Sequence, residues 1–304
     1  MTNGGPGVLH PSTTDRLTER AYWDDYHVAG QAANPRAPST EPVVSTPAGR
    51  GLKSRIKRVL GTRLLERFRN YEDFLLWDVI LPQHLSDREG SKVVEIGSAP
   101  GHRLVRLKQR FGLTPYGIDY SRVGADMNRH VFSDHGIDPR NVMEVDFVAG
   151  ELPDRYREAF DVVLSGGFIE HFTDVRAIIR KHLQLLKPGG CLVVQIPNLR
   201  GINFVLSWLF CRDVIPLHNL DIMKRKNFAA LFDAQGLAPL FCGYSGTFNF
   251  YMFQTPDDSW MRVPLVVCHK IQPILNLVFR SVFRDRGAEN GWFSPSLVYV
   301  GIKR

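Results

Sequence analysis

Residues 93–102 read Val93-Val94-Glu95-Ile96-Gly97-Ser98-Ala99-Pro100-Gly101-His102, and the fold of the whole chain turns on them. Apolar β-branched residues around a single acid make a short buried strand. Gly97 and Gly101 bound a tight turn, because a residue without a Cβ lets the backbone bend sharply and approach a ligand. A helix starts at His102, with Pro100 suited to its first turn. The spacing Gly-x-x-x-Gly is not the Gly-x-Gly-x-x-Gly of a pyrophosphate-binding nicotinamide site. The stretch alone therefore implies a nucleotide-like ligand at a strand–helix turn.

Working outward, strands and helices alternate. Strands are expected at 93–97, 115–119, 141–146, 161–165 and 191–196, with helices at 102–110, 121–134 and 174–186 and a short one near 150–157. A Lys187-Pro188-Gly189-Gly190 turn precedes the fifth strand. A helix at 224–235, a strand near 238–244 and a last strand at 296–302 follow. Runs such as Val162-Val163-Leu164 and Leu192-Val193-Val194 are apolar throughout, as expected when helices cover both faces of a sheet. The pattern implies an α/β, doubly wound, Rossmann-like sheet with right-handed crossovers. In such sheets ligands bind outside the carboxyl ends of the strands. Two long excursions, 199–217 and 246–292, break the alternation where helical lid insertions would be built.

The strand tips carry the chemistry. The second strand ends in Ile118-Asp119-Tyr120-Ser121, where an acid can accept hydrogen bonds from both hydroxyls of a ribose. Ser121 reads as the cap of the next helix. The third ends in Glu144-Val145-Asp146-Phe147, and the fourth in Ser165-Gly166-Gly167-Phe168-Ile169-Glu170-His171. No lysine or arginine stands at these tips to neutralise a phosphate, so a cationic ribonucleoside fits better than NAD, FAD or ATP.

The run from Val93 to Asn198 resembles a class I S-adenosylmethionine-dependent methyltransferase of the group acting on small molecules, lipids and glycans. The resemblance covers residues 90–245 and rests on several motifs in order. It implies seven strands, mostly parallel with the last antiparallel. It also implies that Glu95, Gly97, Ser98 and Gly101 surround the methionine part of S-adenosyl-L-methionine and that Asp119 holds the ribose. Tyr120 would flank the adenine, Asp146 would accept from its amino group beside Phe147, and the segment from Gly166 to His171 would border the sulfonium and the acceptor. Ala99-Pro100 stands where many members carry a glycine. Transfer to an oxygen usually requires removal of its proton, and His171 and His218 are the candidate bases, since histidine titrates near neutral pH. Each residue has a plainer reading: Asp119 as a loop acid, Asp146 as a helix cap, His171 and His218 as packed loop histidines.

The flanks set the domain plan. Residues 1–49 read as a flexible N-terminal segment with one short helix at 15–27 and an Ala/Pro/Ser/Thr-rich linker at 29–49. Residues 50–90 form a basic helical extension, helical through 71–81 until Pro82, and 91–304 the catalytic domain. Between 50 and 69 eight basic residues stand against one acid, Glu66, which accounts for the entire net charge of +7. Leu52, Ile56, Val59, Leu60, Leu64 and Phe68 recur at helical spacing there. A basic amphipathic helix suits an anionic membrane surface or lipid-linked substrate; nucleic acid fits poorly without interleaved aromatics. A second apolar stretch, 263–284, includes Leu265, Val266, Ile271, Ile274, Leu275, Leu277, Val278, Phe279 and Phe283. Its plain reading is a helix packed on the core; otherwise it lies on a bilayer or roofs a greasy pocket.

The four cysteines (Cys191, Cys211, Cys242, Cys268) have no Cys-x-x-Cys pairing, so they read as reduced core residues, with no structural zinc site and no metal expected. The N-terminus has no signal-peptide pattern. The expected place is cytoplasmic, with peripheral contact to the inner face of the membrane. The expected activity is O-methylation of a small-molecule, glycan or lipid-type acceptor. Its rivals are an NAD(P)-dependent oxidoreductase and a non-catalytic membrane-associated binding protein. The sequence carries no reading of oligomeric state.

Overall fold

The computed structural model describes residues 16–33, 68–233, 235–256 and 259–304. Most of the cationic extension, 50–67, and all of 1–15 and 34–49 lie outside them. Seven strands form one sheet: β1 (Lys92–Ile96), β2 (Thr114–Asp119), β3 (Val142–Glu144), β4 (Phe160–Gly166), β5 (Leu186–Pro197), β6 (Leu237–Ser245) and β7 (Ser296–Lys303). Their order is β3-β2-β1-β4-β5-β7-β6. Neighbours from β3 to β5 pair in parallel, and β7 runs antiparallel to both β5 and β6. The mostly parallel, seven-stranded sheet with an antiparallel last strand is therefore as expected.

Side chains alternate across each strand, and this splits the core in two. Val94, Ile96, Val163, Leu192, Val194 and Tyr299 pack under α6 (Val175–Leu185) and α8 (Arg225–Asp233). Val93, Val162, Leu164, Val193, Val298 and Val300 pack under α4 (His102–Phe111) and α5 (Arg122–Asp134). Ser121 caps α5 by accepting from the Gly124 N–H at 3.0 Å, and Asp174 does the same for Ala177 at the start of α6. The strand order reverses between β1 and β4, which opens a crevice at their carboxyl ends.

The boundaries moved in several places. The first helix is α1 (Arg20–Ala33), so it starts later than expected and its backbone runs through residues assigned to the linker. Helix α2 (Tyr71–Phe74) passes through a π-helical turn (Leu75–Ile80) into α3 (Pro82–Leu85). Pro82 sits at the first position of α3, where its missing N–H costs nothing. Pro100 lies ahead of α4, whose cap is Gly101 with φ +98°. The short helix near 150–157 is a 3-10 turn (Asp154–Tyr156).

The first excursion contains α7 (Ile202–Cys211) and the second α9 (Arg262–Val282). Helix α9 is inverted in polarity. It buries Leu265, Gln272 and Asn276; the amide of Gln272 holds the backbone of Phe248 and Phe250, and that of Asn276 the backbone of Phe68 and Tyr71. Val263, Val266, Val267, Ile271, Ile274, Val278 and Val282 face outward. Among the described residues no helix is long and apolar enough to cross a membrane.

Candidate active site

The carboxyl ends of β1, β2, β4 and β5 open into a cavity of about 550 Å³. Its wall includes Gly97, Asp119, Tyr120, Asp146, Phe147, Gly166, His171 and His218. Of the residues singled out in the sequence, Glu95, Ser98 and Gly101 lie beneath the wall instead. Glu95 is buried and accepts from the Arg103 guanidinium at 2.9 Å. Ser98 accepts from the Asn128 amide at 2.7 Å. A Cβ on Gly101 would stand 2.2 Å from Asn128 Oδ1. These three shape the turn from below.

Gly97 has φ +70°, and a Cβ there would press on Phe168 at 3.1 Å. Asp119, 6% exposed, ends β2 with both oxygens turned to backbone: Oδ2 accepts from Ala99 N at 3.1 Å and Oδ1 from Ser121 N at 2.9 Å. Burial raises its pKa against the pull of those N–H groups and of His27. Each carboxylate oxygen has two lone pairs, so acceptor capacity remains toward the cavity. Asp146 is differently placed. Its Oδ1 accepts from Val148 N and Ala149 N and pairs with Arg16.

Arginines do reach this site, contrary to the reading from the strand tips. Arg16 and Arg103 both line the cavity, but each is held by an acid, Asp146 and Glu95 respectively. Burial outweighs Arg103 and pushes the Glu95 carboxyl up to about 7. Arg103 occupies the space a side chain at 166 would need, since a Cβ on Gly166 would meet its guanidinium at 1.7 Å. A side chain there would have to push the guanidinium off Glu95.

The N-terminal segment roofs the cavity. Arg16 bridges Phe172, Leu17 N donates to His171 O at 2.8 Å, and Ser121 Oγ donates to Asp24 at 2.5 Å. Trp23, Tyr26 and His27 of α1 thereby become wall residues. On the opposite side Glu72, half-buried, reaches the cavity. It accepts from Gln195 at 3.3 Å and Asn249 at 2.8 Å, and burial raises its pKa. Sequence reasoning missed Arg16, Trp23, His27, Glu72 and Arg103. Their positions depend on contacts across long stretches of chain, and no local spacing marks them.

His171 and His218, 47 positions apart in the chain, come together with ring centroids 4.6 Å apart. Asn219 fastens their loops: its N–H donates to Glu170 O at 2.7 Å and its amide to Phe172 O at 3.0 Å. His171 Nδ1 lies 2.7 Å from Leu217 O, and His218 Nδ1 lies 2.6 Å from Val214 O. A carbonyl can only accept, so both Nδ1 atoms carry the proton and both Nε2 atoms keep a lone pair. Burial lowers both pKa values, that of His171 to about 4. Both rings are thus neutral near pH 7.

A family model described as a methyltransferase domain matches residues 65–240. A ubiquinone biosynthesis O-methyltransferase of Rhodopseudomonas palustris is 36% identical over 138 residues, covering 41% of this chain and 51% of the relative. The mitochondrial ubiquinone biosynthesis O-methyltransferase of Mus musculus is 28% identical over 126 residues, 41% of this chain and 34% of the relative. The chain spans about half the length, or less, of these curated relatives. Among solved structures, the [4+2]-cyclase SpnF superposes with a TM-score of 0.54 at 15% identity, covering 98% of each chain. That likeness shows the fold alone.

Proposed function

The chain belongs to the methyltransferase-domain family, and from that premise we propose that it moves a methyl group from S-adenosylmethionine to an oxygen of a small, largely apolar acceptor. The observation that carries the reading is Asp119, a buried carboxylate at the tip of β2 beside the left-handed Gly97 turn, both facing one cavity. The relatives named for O-methylation in ubiquinone biosynthesis support oxygen as the receiving atom.

The residues fit the cofactor. The Gly97 turn leaves room for close backbone approach, and Asp119 can take the ribose hydroxyls. Tyr120 and Phe147 offer aromatic faces for the adenine. Asp146 Oδ2 is the atom left for the adenine amino group, since Oδ1 already serves two N–H groups and Arg16. When bound, the cofactor supplies a methyl group activated by a cationic sulfur. The chain's own task is then alignment and the exclusion of water, which the roof of Trp23, Tyr26 and His27 serves. His218, and more weakly His171 because burial holds it at about 4, keep Nε2 lone pairs free of backbone and are the candidates to take the acceptor's proton. Phe168, Phe172, Met252, Pro197 and Pro295 line the remaining wall, which suits an aromatic or lipid-type acceptor better than a glycan.

The outward apolar stripe of α9, with Trp260 just ahead of it 81% exposed, supports peripheral attachment to a bilayer from which such an acceptor would be drawn. The cationic segment 50–67 adds attraction to anionic lipid. Methyl-labelled S-adenosylmethionine incubated with a panel of phenolic, lipid, glycan and amine acceptors tests the activity. Label in an O-methylated apolar product is expected; label only in amines or carbon acceptors would refute it. Co-sedimentation with anionic vesicles, unchanged by Val266→Glu with Val267→Glu, would dispose of the membrane reading.

A further inference from the structure

The histidine pair has a third member. Glu170 is 1% exposed, and neither of its carboxylate oxygens makes a well-formed hydrogen bond among the described residues. A buried carboxylate without a partner is costly, and burial pushes this one up to about 8, so near pH 7 it keeps its proton unless a cation takes the proton's place. His171 Nε2 stands 3.9 Å from Glu170 Oε1. One ligand atom from each of Glu170, His171 and His218 lies within 4.8 Å of the others. All three residues line the cavity.

We infer that Glu170, His171 and His218 form a mononuclear site for a first-row divalent transition ion, with its open coordination positions toward the cavity. Four observations converge on it. Two imidazoles and one carboxylate are the donor set of catalytic zinc and related open sites, and such a set disfavours the all-oxygen environments of calcium and magnesium. Both rings donate Nδ1–H to a backbone carbonyl, of Leu217 and Val214, which is the outer-shell arrangement that fixes metal-binding histidines with Nε2 outward. The carboxylate lacks a compensating charge at hydrogen-bond distance. The spacing is close to sufficient: bonds of about 2.0–2.1 Å in tetrahedral geometry put ligand atoms about 3.3–3.4 Å apart. Side-chain torsions closing up to about 1.5 Å would complete the set, while Asn219 holds the two loops together.

The site itself does not depend on methyl transfer. Its consequence does rest on that reading: an ion here would hold an acceptor hydroxyl and lower its pKa, the proton passing to solvent, so the histidines would act as ligands instead of bases. The test uses the full chain, without a histidine tag, stripped by chelator and titrated with cobalt(II). Visible absorption reports coordination, and elemental analysis after dialysis against zinc reports stoichiometry. One ion per chain is expected, with the intense bands of four- or five-coordinate cobalt. Glu170→Gln and His218→Asn should each weaken binding by at least about 10–100-fold, the loss typical of disturbing even an outer-shell group. His182→Asn, a buried histidine outside the cluster, should bind as wild type.

Wild-type protein whose melting temperature is unmoved by cobalt(II), or that retains no ion, overturns the inference without any variant. So does equal retention by folded Glu170→Gln and His218→Asn. S-adenosylhomocysteine titration runs alongside. Cobalt binding without nucleoside binding keeps this site and removes the cofactor reading, and the reverse result does the opposite.

Discussion

Asp119→Asn separates the proposed ribose contact from the fold. Asparagine keeps the shape of the side chain, which is 6% exposed, but exchanges one acceptor oxygen for an NH2 group. The carboxylate now receives Ala99 N at 3.1 Å and Ser121 N at 2.9 Å, so the variant leaves one of those N–H groups facing a donor. That costs about 1–3 kcal/mol of stability. Part is offset, because burial already raises the carboxyl's pKa and the amide carries no charge to bury. Toward the ligand there is no such offset. One charge-assisted bond from a ribose hydroxyl is lost and the other becomes neutral, at about 1.5–3 kcal/mol for a bond to a charged group. A net loss of about 2–3 kcal/mol is about 30–150-fold in Kd. Isothermal titration with S-adenosylhomocysteine at pH 8, where the carboxylate is ionised, reads the affinity, and urea unfolding of the same sample reads the fold. Affinity within about threefold of wild type, in a variant that melts as one cooperative unit, would refute the assignment of Asp119 to the ribose.

Two further outcomes follow from packing and titration. Gly101→Ala puts a Cβ 2.2 Å from Asn128 Oδ1 at φ +98°, whereas Gly136→Ala has φ +63° and nothing within 4 Å. The first should lose about 2–5 kcal/mol from backbone and overpacking together, the second only about 1–2 kcal/mol; equal losses in urea melts would refute the contact. His182 is fully buried, its Nδ1 bonded to Ile178 O at 2.8 Å, and burial lowers its pKa to about 4 from 6.5. The unfolded chain therefore takes up this proton first as pH falls below 6.5, and stability is lost down to about pH 4. Between pH 7 and pH 5 wild type should lose about 2 kcal/mol more than His182→Gln, and a constant difference between the two would show that His182 does not titrate this way.

The parts of the molecule that local sequence controls were legible. Continuous apolar runs marked β1, β4 and β5, and glycine spacing marked the Gly97 turn, because a Cβ-free residue takes its left-handed φ without strain. Asp119 could be placed because it ends a strand beside that turn. What local pattern cannot carry is which distant segment lies against which. Nothing around Arg16 signals that it meets Asp146, 130 positions away. Likewise, Glu72 precedes the first strand yet ends beside Gln195 and Asn249. The periodicity of 263–284 was visible, but not its polarity. The buried stripe of α9 is fixed by the unpaired backbone groups of Phe248 and Phe250 that Gln272 satisfies, so the apolar residues are left outside.

The same division explains why the fold and the acceptor are set by different residues. The end proposed to hold the nucleoside is built from the tips of β1, β2 and β4, where sheet register and glycine conformation leave few alternatives. The other end is built from pieces outside that frame: Trp23 from α1, Glu72 from α2, His218 after the first excursion, Met252 and Pro295 around the second. A [4+2]-cyclase can share the whole fold at 15% identity because these outer pieces can change without disturbing strand register. In this chain they converge on the apolar wall and on the buried group of Glu170, His171 and His218. Substitutions at Glu72, Met252 or Pro295 should therefore alter which acceptor is taken while leaving S-adenosylhomocysteine affinity near wild type, whereas Asp119→Asn should do the reverse.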